Sequence, residues 1–233
     1  SKKKEFLCLL AYQVYAYFLL LFMYSHLPED INPVAFSLGN FSVRWYALMY
    51  PLGFLVVYFL LQYRIRRKEG EYTRKIIEDF LIFALAGVLV GGRLGYVLLY
   101  NFSYFWENPL AIIYPFDLET GEFTGIFGMS YFGGLAGVLF VSWIFVKKNK
   151  ISFWKLADFI IPAIPAGYFF GRLGNFFNKE LYGKITNKSW GMYFEGELRH
   201  PAQLYEAFLE GLLLFIFLWV LRNNEKRKGK MLC

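Results

Sequence analysis

The stretches DFLIFALAGVLVGGRLGY (residues 79–96) and DFIIPAIPAGYFFGRLGN (residues 158–175) decide how this chain is read. In each, an Asp-Phe pair precedes a Gly-Arg-Leu-Gly tetrapeptide by thirteen residues. The residues between are almost wholly apolar, and with their flanks each copy approaches the roughly 20 residues needed to cross a bilayer core. Equal spacing makes the pair an internal repeat. Both copies run in the same direction, so the repeat is parallel rather than inverted.

Working outward, the whole chain has this character. Its 233 residues are 57% hydrophobic and 22% aromatic, and only 18% are charged. A soluble chain of this length would spread charge over its surface; here the charges are clumped between apolar stretches. The net charge of +7 raises the question of nucleic acid. That partner is excluded, because the Lys and Arg form short clusters between spans instead of lining one face. The two cysteines, Cys8 in an apolar run and Cys233 as the last residue, build neither a disulfide framework nor a metal site. No cofactor is implied.

Six spans are predicted, at about 6–24, 45–63, 76–100, 131–146, 153–177 and 204–221, which makes the fold an all-α, polytopic transmembrane helical bundle. Alternating connections carry eighteen Lys and Arg on one side against five on the other, with Arg93 and Arg172 left inside spans. The positive-inside rule puts both termini in the cytoplasm. The first span, after Lys2, Lys3 and Lys4, also has the form of a signal peptide, but its long core and Gln13 favour a retained anchor. Of the connections on the outer side, 101–130 is aromatic and interfacial, and 178–203 mixes charge, glycine and aromatics as a folded cap.

An arginine inside a span is expensive and faces a partner or a wet cavity. For Arg93 and Arg172 two readings stand: a salt bridge, for example to Asp79 or Glu180, or capture of a lipid phosphate by the guanidinium fork. Tyr46 and Tyr50 open the second span as interfacial anchors or site residues. Gly133, Gly134 and Gly137 read as helix-packing positions. His200 before Pro201 either positions the loop or does chemistry; Glu180 pairs with an arginine or serves as a base. His26 carries no signal.

GRLGNFFNKELYG (171–183) resembles the signature of the prolipoprotein diacylglyceryl transferase family, whose usual form is GRLGNFINGELYG. PVAFSLGNFSVRWYALMY (33–50), GGRLGYVLLYN (91–101), GMSYFGGLAG (128–137) and RHPAQLYEA (199–207) support it in order along the chain. The resemblance covers about 31–230. It divides the chain into an N-terminal anchor and linker at 1–30 and a transferase-like membrane domain at 31–233. It implies a multi-pass protein of the bacterial plasma (inner) membrane with its active site toward the outer side. The implied reaction moves a diacylglyceryl group from phosphatidylglycerol to the lipobox cysteine thiol of a prolipoprotein signal peptide, forming a thioether and releasing glycerol phosphate.

By resemblance Arg172 stabilises the departing phosphate and Asn175 holds the headgroup. Gly183 leaves room in the cap, Tyr46 and Glu180 line the site, and Arg93 touches lipid. Two departures stand out. Phe132-Gly133-Gly134 replaces the family's His-Gly-Gly, and Phe can neither accept nor donate a proton. His200, Glu180 and Tyr131 are the candidate replacements for that base. The family also continues with two further helices, the first bearing another arginine, so a C-terminally truncated sequence is expected. The rival readings are a catalytically impaired homologue that binds phospholipid and a small membrane transporter; the second lacks the polar mid-membrane path it would need.

Overall fold

The computed structural model describes residues 24–39, 41–114 and 128–222. The first expected span therefore lies outside the described residues except for Tyr24, as do Cys8, Cys233 and part of the 101–130 connection. In chain order the elements are α1 (Leu27–Asp30), a hairpin of β1 (Val34–Leu38) and β2 (Phe41–Arg44), α2 (Trp45–Arg66), α3 (Arg74–Leu99) and α4 (Phe102–Glu107). A 3₁₀ turn at Pro109–Ile112 follows, then α5 (Tyr131–Asn149), α6 (Phe153–Phe177), a second hairpin of β3 (Met192–Phe194) and β4 (Glu197–Arg199), and α7 (Ala202–Leu221). Helices α2, α3, α5, α6 and α7 are each long and apolar enough to cross a membrane. They coincide with the second to sixth predicted spans, so the helical-bundle expectation holds.

Local chemistry sets their ends. The Thr73 hydroxyl accepts from the Ile76 N–H and opens α3, and the Ser130 hydroxyl accepts from the Gly133 N–H and opens α5. Lys150, in the left-handed conformation, closes α5 by donating its N–H to the Lys147 carbonyl. Ile82, Val90 and Leu98 on α3 are exposed, as apolar side chains are when lipid rather than water is the solvent.

The described residues divide into two compact units, one from those within 24–60 and 160–222, the other from those within 61–159. In the second, glycines set the packing of α3 on α5. A Cβ on Gly91 would lie 2.4 Å from the Gly133 carbonyl oxygen, and one on Gly137 would lie 2.1 Å from that of Gly87. Backbones this close gain dispersion contacts that larger side chains would prevent, which is how helices associate where lipid removes the hydrophobic drive. The packing reading of Gly133 and Gly137 is thereby met. In the same unit buried Arg64 donates through Nη1 to the carbonyls of Phe159 (2.6 Å) and Asp158 (3.3 Å) and through Nε to Glu69 (2.9 Å). Pro162, lacking an N–H, leaves the Asp158 carbonyl without its helical donor, and the 3₁₀ turn at Ile161–Ala163 loosens the ladder there. The guanidinium supplies the missing donors.

In the first unit the cap has two parts, only one of which was read from the sequence. Phe176, Met192 and Phe194 form its core, with Leu27, Ile31, Phe177, Tyr182 and Leu204 packed around them. The segment before α2 is thus built into the cap: Tyr193 N–H donates to the Ser25 carbonyl at 2.7 Å, and His26 stacks on Tyr193 with ring centroids 4.3 Å apart. Arg44 Nη1 donates to Asn178 Oδ1 at 3.0 Å, tying the first hairpin to the end of α6.

Candidate functional site

Helix α6 ends on the repeat's second Gly-Arg-Leu-Gly-Asn run. Tyr168, Arg172 and Asn175, at i, i+4 and i+7, share one face of it. On α7, Gln203, Glu206 and Glu210 make a matching stripe at i, i+3 and i+7. The two stripes meet because Gly211 packs on Phe169 with no side chain between them. Residues Ala207–Leu213 form a π-helical segment, a wide turn of the kind that often marks functional sites in helices.

The resulting network is continuous. Glu206 Oε2 lies 2.6 Å from Arg172 Nε, which also donates to the Tyr168 hydroxyl at 2.8 Å. The Tyr168 hydroxyl donates to Glu210 Oε2 at 2.9 Å. Arg172 Nη1 approaches Asn175 Oδ1 at 3.4 Å, and buried Asn175 donates Nδ2–H to Glu180 Oε1 at 2.8 Å. Fully buried Gln203 donates to the Glu180 carbonyl at 2.7 Å and so fixes the backbone that carries this carboxylate. The ion-pair partner of Arg172 is Glu206, where the sequence offered Asp79 or Glu180.

The other expected residues surround this line. A Cβ on Gly174 would come within 3.4 Å of the Tyr46 ring, so the glycine lets α2 lie close on α6 and brings Tyr46 beside the network. The Tyr46 and Tyr50 hydroxyls are 2.7 Å apart. Gly183 donates its N–H to the His200 carbonyl at 2.8 Å, and a Cβ there would stand 2.9 Å from that same oxygen. Only glycine fits without moving the strand. His200 Nδ1 sits 3.0 Å from the Tyr205 hydroxyl. In the cap, the hydrogen bond from the Tyr182 hydroxyl to Glu195 (2.7 Å) holds that phenol protonated above its usual range.

Arg93, the first repeat's counterpart, is engaged differently in the other unit. Its Nη2 and Nε donate to the carbonyls of Ala111 (2.6 Å) and Ile112 (2.7 Å), its Nη1 to that of Gly128 (3.3 Å), and its plane lies 4.9 Å from the centre of the Phe105 ring. It clasps the turn after α4.

Sequence reasoning missed Tyr168, Gln203, Glu206 and Glu210. The signal was present: two carboxylates one helical turn apart inside an apolar span are as costly as a buried arginine and call for a partner. What the network can do chemically is hold an anion against a guanidinium while carboxylates stand within proton-transfer distance of neighbouring groups.

Residues 33–233 match the family described as prolipoprotein diacylglyceryl transferase. Among curated relatives, the phosphatidylglycerol–prolipoprotein diacylglyceryl transferase of Chlorobaculum tepidum is 47% identical over 212 residues, covering 88% of this chain and 73% of that protein. Proteins of the same name from Aliarcobacter butzleri (41% identical, 90% of this chain, 75% of the relative) and Campylobacter hominis (40%, 91% and 74%) match over nearly the same length. With five helices long and apolar enough to cross a bilayer, this is a multi-pass membrane protein, and the chain belongs to the prolipoprotein diacylglyceryl transferase family.

Proposed function

We propose that this protein transfers the diacylglyceryl group of phosphatidylglycerol to the lipobox cysteine thiol of a prolipoprotein signal peptide, at the outer face of the bacterial inner membrane. The thiol sulfur attacks the glycerol carbon bonded to the phosphate ester oxygen. The carbon–oxygen bond breaks as the carbon–sulfur bond forms, its electron pair leaves on the phosphate, and the products are a thioether and glycerol phosphate. The thiol proton passes to a neighbouring acceptor.

The observation that carries this reading is the Arg172 network. A guanidinium set in a membrane-spanning helix, with Asn175 one turn on and Glu180 beyond it, presents donors to a departing phosphate in a medium of low dielectric. Asn175 holds the headgroup, Tyr46 lines the donor site, and Gly183 keeps the cap strand in place. Glu180 and His200 are the acceptors offered for the thiol proton in place of the imidazole that Phe132 lacks. A thiol of ordinary pKa near 8.5 already carries a few per cent thiolate at neutral pH, so a weak acceptor suffices for slow turnover. Arg93 enters as a scaffold residue, its donors being committed to backbone carbonyls.

The test is transfer from radiolabelled phosphatidylglycerol to a lipobox peptide by the full chain in vesicles. Arg172→Gln is expected to lower the rate by about a hundredfold or more, the scale of losing a donor to developing negative charge. Undiminished transfer in that variant would place the chemistry elsewhere. A wild-type chain that binds the lipid but transfers nothing would favour the impaired-homologue reading.

A further inference from the structure

We propose that Glu206 is a positioning residue for Arg172: its carboxylate, with the Tyr168 hydroxyl, fixes the Nε edge of the guanidinium so that the two terminal nitrogens meet the donor phosphodiester. The inference rests on the reading of Arg172 as the phosphate ligand and assigns a role to a carboxylate that this reading leaves unused.

The geometry separates the two edges of the guanidinium. Both short contacts fall on Nε, with Glu206 Oε2 at 2.6 Å and the Tyr168 hydroxyl at 2.8 Å. On the terminal pair the structure gives one long contact, Nη1 to Asn175 Oδ1 at 3.4 Å, and among the described residues Nη2 donates no hydrogen bond. A guanidinium is planar and rigid, so holding Nε in a fixed direction aims Nη1 and Nη2 as a unit. Phosphate oxygens match that terminal fork in two-point fashion.

Tyr168 is itself aimed. Its hydroxyl has Glu210 Oε2 at 2.9 Å and Glu206 Oε2 at 3.4 Å as acceptors, and donation to the nearer one turns an oxygen lone pair toward Arg172 Nε. Glu210 thus orients Tyr168, and Tyr168 and Glu206 together orient Arg172. Glu206 meets the guanidinium at Nε, which leaves the terminal pair Nη1 and Nη2 to an incoming anion. The Arg172 side chain is 24% exposed and that of Glu206 34%, so the pair borders accessible space instead of being sealed in a core.

The experiment measures binding of phosphatidylglycerol and of diacylglycerol, which lacks the phosphate, to the full chain and to Glu206→Ala and Glu206→Gln, alongside transfer kinetics. Glu206→Ala is expected to weaken phosphatidylglycerol binding about fivefold, the upper scale of a partly exposed ion pair, and to raise the donor KM, with diacylglycerol binding unchanged. Glu206→Gln keeps an acceptor of the same length and is expected to recover part of the loss; should the alanine variant unfold, this arm decides. Unchanged or tighter phosphatidylglycerol binding overturns the inference, since a competing carboxylate gives the second result. Equal losses for both lipids overturn it too, because they report packing and not phosphate recognition. A wild-type chain that does not prefer phosphatidylglycerol over diacylglycerol refutes the donor reading itself, a distinct failure.

Discussion

Gly211 on α7 rests against Phe169 on α6 so closely that a Cβ on the glycine would fall 2.8 Å from the Phe169 Cα. This contact sets the distance between the two polar stripes. With Phe169 one turn before Arg172 and Gly211 next to Glu210, any side chain at 211 pushes the carboxylates away from the guanidinium and the tyrosine.

Gly211→Val is therefore expected to destabilise the protein by about 1–3 kcal/mol through overpacking, because the obstructing atoms include backbone that cannot swing aside. Transfer should fall more steeply than stability, since the Glu206–Arg172 contact stretches first. Melting temperature in detergent and the initial rate of transfer, measured on the same preparation, check this. A variant with wild-type rate and wild-type stability contradicts the close approach.

Arg64 restores donors to the Asp158 and Phe159 carbonyls where Pro162 interrupts the helix, and it pairs with Glu69. Both side chains of the pair are nearly sealed from solvent, at 4% and 8% exposure. Arg64→Met keeps most of the volume but removes every donor and leaves Glu69 without this cation. The expected loss is about 3–5 kcal/mol, the scale of breaking a buried pair from one side. Thermal unfolding measures it, and a shift of less than a degree or two would mean that the helix break needs no support from this side chain.

Phe132 stands where the family's usual motif has histidine, at the start of α5, and it is 67% exposed, touching Tyr131 edge to face. Replacement by histidine carries no core penalty. Phe132→His is expected to raise the transfer rate at neutral pH and to add an acidic limb to the pH–rate profile near pH ~6.5, where an unperturbed imidazole gains its proton. The sign is fixed: imidazole works as a base only when neutral, so the rate climbs as pH rises through that value. An identical profile in the two proteins would mean that the thiol proton leaves by another route.

The sequence by itself determined five of the six predicted spans, the repeat and the family. The apolar runs predicted at 45–63, 76–100, 131–146, 153–177 and 204–221 correspond to α2, α3, α5, α6 and α7 with ends shifted by three residues or fewer, because spanning a bilayer depends on a sum of local hydropathies and needs no knowledge of neighbours. The tertiary structure decided which polar group meets which. Arg93 and Arg172 occupy equivalent places in equal repeats, yet one holds backbone carbonyls and the other a carboxylate and a tyrosine. Likewise, the cap seen at 178–203 was incomplete without Ser25, Leu27 and Ile31, more than a hundred residues earlier in the chain. Such pairings are fixed by how closely two helices approach and by which faces they turn to each other, and a linear pattern of residues carries neither quantity.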